Sequence, residues 1–208
     1  MKSMKINTVR LRVMIGILGA ILPFIVALLY GGLPKSISAT YYIAECITPF
    51  MIILGAASML LISYRGYTKL DDIILTCAGV AGFLICLFPC ANIAIPLVGT
   101  FAIPQVISGI IHDISAVIFF GLLSFNSLFL FTKTDGEMTK KKKARNIIYR
   151  ICGIGMVASF LLLLLPNFYF KMWLVEAIAL FFFGVSFLTK ADAFPFLFCD
   201  TKYNEADD

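Results

Sequence analysis

Glu45, the adjacent pair His112-Asp113 and Glu176 are the positions at which this chain could do chemistry. Each lies in or beside a long apolar run, where an ionisable side chain is costly and usually faces a protein interior or a wet cavity. A histidine beside carboxylates could serve as a general base or help hold a cation. His112 is the only histidine in the chain. Neighbours on a helix point about 100° apart, so His112 and Asp113 do not form a natural dyad. Ser115 is three residues on and within reach of His112, but no Ser-His-acid triad is specified by these spacings. A catalytic zinc site usually takes three protein ligands with histidine prominent, and the nearest approach here is His112 with Glu45 and Glu176. No catalytic residue, metal or cofactor is therefore expected.

Glu176 is the most exacting of the four. If its helix starts near Phe170, a rise of roughly 1.5 Å per residue carries Glu176 about 9 Å inward. Its sequence neighbours Leu174, Val175, Ala177 and Ile178 are apolar, and Lys171 can snorkel away. A buried carboxylate without a partner tends to be protonated, and His112 is the candidate ion-pair partner across helices. Asp113 and Glu45 have plainer readings, as a helix cap and as an acid in the headgroup zone. With Ser38, Tyr41 and Tyr42 leading into Glu45, these residues are expected to line one ligand-binding pocket.

The elements that must position them are membrane spans. The chain is 61% apolar and 14% charged over 208 residues, with a mean hydropathy of +0.97. A bilayer core needs roughly 20 mostly apolar residues per helix. Six runs qualify: 13–30, 46–64, 73–89, 110–131, 147–165 and 173–189, the third and sixth borrowing from their flanks. Residues 1–208 thus form one integral membrane domain, with a basic N-tail over 1–12 and a C-tail over 190–208.

If the runs cross in turn, fifteen of the seventeen Lys and Arg fall on one side, leaving Lys35 and Lys171 on the other. Basic residues in short loops resist translocation, so that side is cytoplasmic. The expected fold is an all-α bundle of six transmembrane helices with both termini in the cytoplasm. The expected location is a cell membrane, as a multi-pass protein of the bacterial cytoplasmic membrane. The net charge of +5 follows the membrane edge and is no nucleic-acid footprint. Lys140, Lys141, Lys142 and Lys143 are its densest cluster, placed to meet membrane lipids through their anionic headgroups.

Helices two, four and six all begin on the outer side, which brings Glu45, His112-Asp113 and Glu176 to one end. The outer loop between residues 90 and 109 carries no charge but has Pro96 and Pro104, so it should fold back into the interface. Asp71 and Asp72 suit the start of helix three, and Gly66 suits the end of helix two. Cys46 and Cys90 are the cysteines placed where a disulfide could form. Gly79, Gly82, Gly153 and Gly155 allow close helix contacts. The segment from Ala193 to Cys199 should lie in the inner interface, and residues 204–208 should be solvated.

The stretch from Pro34 to Tyr42, Tyr64-Arg65-Gly66-Tyr67, Leu87-Phe88-Pro89, His112-Asp113-Ile114-Ser115-Ala116 and Glu176 together resemble an uncharacterised family of six-helix bacterial membrane proteins. More distantly, the chain resembles the superfamily of alkaline ceramidases and haemolysin-III-like or adiponectin-receptor-like proteins. Those are hydrolases or receptors with a Ser-x-x-x-His element and a further His pair around zinc. Here Tyr42 stands where the histidine after Ser38 would be, and the last helix has no histidine. That resemblance implies a fold and not a zinc site.

The expected function is non-enzymatic binding of a small amphiphile, lipid headgroup or cation in a polar pocket near the outer leaflet. The alternatives are a lipid-modifying enzyme using His112 and a carboxylate, or a scaffold docking through its basic inner loop.

Overall fold

A computed structural model describes residues 2–92, 94–134 and 138–193, with side chains from residue 8 onward. The expected C-terminal features beyond residue 193 lie outside the described residues. Six long helices follow one another: α1 (Lys2–Tyr30), α2 (Ala44–Ser63), α3 (Lys69–Leu87), α4 (Gln105–Phe125), α5 (Lys140–Ser159) and α6 (Lys171–Lys190). A π turn at Asn126–Leu130 extends α4, and a 3-10 turn at Phe160–Leu164 extends α5. Each contains a stretch long and apolar enough to cross a membrane.

Each helix packs on the next and α6 returns to α1, which closes the six into a ring. Apolar side chains cover the outside of that ring as well as its interior. Leu28 and Leu164 are 80% and 82% exposed, and Val117, Ile154 and Ile52 are also bare. An exposed apolar surface of this extent suits a hydrocarbon solvent rather than water. The phenylalanines divide accordingly, with Phe181 exposed and Phe183 buried two residues on.

Small residues close the ring. A Cβ on Gly184 would stand 2.7 Å from the Gly16 carbonyl oxygen, and one on Gly16 would meet Gly184 O at 2.9 Å. The α1–α6 seam therefore brings the two backbones into direct contact, as small residues permit in membrane bundles. Gly79 does the same for α3 against the Ser58 carbonyl of α2.

Local chemistry sets the helix starts. Thr68 caps α3 in a capping box with Asp71, and Asp72 accepts from the Gly66 amide at 2.7 Å. This draws the helix start back to Lys69, four residues before the apolar run. α2 ends at Ser63 with Tyr64 as its C-cap, so Gly66 does not terminate it. Gly66 instead admits the Asp71 side chain, which a Cβ would strike. α4 starts at Gln105, directly after Pro104, and not near Ile110. Gly109 lies within it because Ala91 packs there, 2.8 Å from where a Cβ would stand.

The uncharged loop before α4 folds back on itself. β1 (Leu97–Val98) pairs antiparallel with β2 (Ile103–Pro104), with Gly99 and Ala102 at positive φ in the turn. Cys46 and Cys90 are both free thiols, so the possible disulfide is not formed.

Through the ring's middle runs a file of buried rings meeting edge to face. Phe119 lies 6.1 Å from Phe183, Phe183 is 5.2 Å from Phe187, Phe187 is 5.1 Å from Phe131, and Phe131 is 5.5 Å from Tyr149. Each ring has its positive edge against a neighbour's negative face, the favoured arrangement.

Candidate functional site

One end of the ring opens into a cavity of about 350 Å³, to which all six helices contribute. Its floor is apolar and includes Leu22 of α1, Phe50 and Leu54 of α2, Phe119 and Phe120 of α4 and Leu180 of α6. Polar side chains gather elsewhere on the wall: Ser36, Ser38, Cys90, His112, Asp113 and Glu176. No Lys or Arg lines it.

Glu176 sits five residues into α6, half-buried, and it serves the loop between α1 and α2. The Ile37 amide donates to Oε2 at 2.5 Å and the Ser38 hydroxyl donates to Oε1 at 2.7 Å. The Ser38 amide and the Ser36 hydroxyl add longer bonds of 3.4 Å each to Oε1. A carboxylate that takes several such donors is satisfied as an acceptor. The expected ion pair with His112 is thus replaced by a loop that wraps its own donors round the acid. A 3-10 turn over Ser38–Tyr42 holds that loop in place, and the Ser36 hydroxyl accepts from the Ala39 amide at 3.0 Å.

His112 is buried and tied to the end of α3. Its Nδ1 lies 2.9 Å from the Phe88 carbonyl oxygen. A carbonyl only accepts, so Nδ1 carries the proton of this bond. Helix ends leave carbonyls without intrahelical partners, and Pro89 follows the last turn of α3 directly. Three consecutive carbonyls there find side-chain donors. Phe88 takes His112, Pro89 takes the Ser108 hydroxyl at 2.7 Å, and Cys90 takes the Tyr42 hydroxyl at 2.5 Å. Burial raises the Cys90 thiol and the Tyr42 phenol to about 12 each, so both are neutral at physiological pH.

Asp113 is exposed and lines the cavity two turns into α4, too far from the helix start to cap it. The structure therefore brings four of the sequence-selected residues to one wall: Ser38, His112, Asp113 and Glu176. Glu45 is exposed in the first turn of α2 and is not among the lining residues. Tyr41 and Tyr42 lie behind the wall, edge to face at 5.4 Å, with Tyr41 packed on the core. Ser36 and Cys90 join the site without having been selected. Their signal was positional, since Ser36 lies two residues before Ser38 and Cys90 follows Pro89 where α3 must end. Among the described residues, no three of His, Cys, Asp and Glu are grouped to hold a metal ion.

No family model, curated protein or solved structure matches the chain.

Proposed function

We propose that this multi-pass membrane protein binds a single-chain amphiphile in the cavity, tail on the apolar floor and head at the polar wall. The observation that carries this reading is the division of one cavity into an aromatic and aliphatic floor and a wall of acids, hydroxyls and histidine. Ligand sites are typically mostly apolar with a few polar groups that fix orientation. Asp113 supplies an exposed carboxylate, and His112 stands beside it on the wall. With no Lys or Arg on the wall among the described residues, the head group best matched is a donor-rich or cationic one, such as an amine or a hydroxylated group.

Glu176 contributes indirectly by holding Ser36 and Ser38 where they line the cavity. The positive-inside pattern puts this end at the outer leaflet and both termini in the cytoplasm.

The test is native mass spectrometry on gently solubilised protein, followed by binding of a single-chain amine amphiphile in nanodiscs. Ala116 lines the cavity, so Ala116→Phe should fill it and abolish binding. A His112→Ala, Glu176→Gln double variant should bind more weakly for lack of its polar wall. Equal binding by wild type and both variants rejects the proposal.

A further inference from the structure

The opposite end of the ring holds a second cavity, of about 390 Å³, with the reverse chemistry. Five cationic side chains line it, namely Arg12, Lys133, Lys142, Arg145 and Lys190, against the single carboxylate of Asp192. They come from α1, the segment after α4, α5 and α6, so the cluster exists only in the closed ring. Of the four consecutive lysines at the start of α5, only Lys142 lines this cavity, and its Nζ donates to the Phe131 carbonyl at 2.9 Å.

Among the described residues, two acids meet these cations. Asp192 takes Arg145 at 2.6 Å and, more distantly, Lys141 at 3.9 Å. Asp71 lies 3.5 Å from Lys133. Arg12 bonds to neutral groups, the Tyr64 hydroxyl at 3.1 Å and the Lys190 carbonyl at 3.5 Å. The Lys190 ammonium stands over three rings, 4.9 Å from Tyr67, 5.0 Å from Phe131 and 5.9 Å from Tyr149. Among the described residues no acceptor takes a hydrogen bond from its three donors and no carboxylate lies within ion-pair distance. Two buried polar atoms of lining residues, Arg145 Nε and Thr134 Oγ1, have no hydrogen-bond partner among the described residues.

A half-buried ammonium held by rings, with unused donors converging on a cavity, is an arrangement that an anion completes. Rings stabilise a cation without consuming its hydrogen bonds. Arginine and lysine together favour phosphate, which takes several charge-assisted bonds at once. A purely topological role would need the charges on this side of the membrane but not their convergence on one hollow.

We propose that this cavity binds a phosphate-bearing anion, with Lys190 on its aromatic seat as the central contact and Arg12, Lys133 and Arg145 around it. The phosphate belongs either to a lipid headgroup or to a soluble compound, and the same donors serve both. The site is independent of the amphiphile cavity at the other end.

The experiment uses the full chain in nanodiscs. In one arm, discs of phosphatidylcholine alone are titrated with inorganic pyrophosphate and with glycerol 3-phosphate, and binding is read by calorimetry. In the other, phosphatidic acid is added to the discs and its retention is read by native mass spectrometry. Lys190→Met keeps the stem against the rings and removes the charge, and Lys133→Gln is a second variant at a more exposed position. The joint change Lys140→Gln, Lys143→Gln removes the same charge type outside the cavity. At least a tenfold loss of affinity or retention is expected in either cavity variant, with little change in the loop variant. Binding in the soluble arm alone identifies a free phosphate compound, and retention of phosphatidic acid alone identifies a headgroup. No binding in either arm overturns the proposal. So does equal binding by wild type and both cavity variants, or a loss as large in the loop variant, which would mark diffuse surface charge.

Discussion

Glu176 shows how one acid can organise the wall in which it stands. It takes donors from Ile37, Ser38 and Ser36, three residues of one loop. A hydrogen bond is worth about 0.5–1.5 kcal/mol net, and Glu176→Gln turns an NH2 group toward one set of the donors that the acid accepts from. Thermal unfolding of that variant should fall by several degrees, and the loop should become open to protease at Lys35. Tyr42→Phe, which removes the bond to the Cys90 carbonyl, should cost about 1 kcal/mol by the same measurement. Cys90 gives a pH test. Its thiol is raised to about 12, so it stays protonated below that pH and becomes thiolate only above it. A maleimide should therefore label native protein very slowly at mildly alkaline pH and label unfolded protein quickly. The sequence marked Glu176 because a carboxylate among Leu174, Val175, Ala177 and Ile178 needs a partner. It could not reveal that the partner was a loop some 140 residues earlier, because backbone N–H groups carry no residue identity. The same limit hid the service of His112 to the Phe88 carbonyl.

At the level of elements, the six helices were legible because hydrocarbon imposes length and apolar content together. Their ends were less so, since caps lie outside the apolar runs. Thr68 and Asp71 extend α3 back to Lys69, and Pro104 starts α4 early enough to move Asp113 from a cap to the cavity wall. Thr68→Ala should cost about 1 kcal/mol, the usual worth of an N-cap, measured by unfolding in a mild detergent. The seam between α1 and α6 was not read from sequence, because Gly16 and Gly184 are distant in the chain, although Gly16 and Ala20 are a small-xxx-small pair that meets Gly184. Gly184→Val forces a branched side chain onto the Gly16 carbonyl and should destabilise the fold by about 1–3 kcal/mol, comparable with overpacking in other cores. Gly121, with nothing within 4 Å of its missing Cβ, is the control, and alanine there should be tolerated.

For the whole molecule, charge and closure belong together. A ring that closes α6 on α1 gathers one end's polar groups into a hollow lined by acids, hydroxyls and histidine, and the other end's into a basic one. On the proposed orientation, with the basic end in the cytoplasm, reporter tags on both termini should be accessible from that side alone. The file of rings from Phe119 to Tyr149 lies between the two hollows, and Phe119 lines one while Tyr149 lines the other. In a polarised membrane, water entering both hollows would carry the bulk potential inward, and the voltage would drop across the aromatic file rather than across the full bilayer. A whole charge moved through that drop changes energy by about 2.3 kcal/mol per 100 mV. Lys190, resting against Phe131 at one edge of the file, would then stand at the boundary of that drop, while an anion in the basic hollow would stay at the potential of its own side.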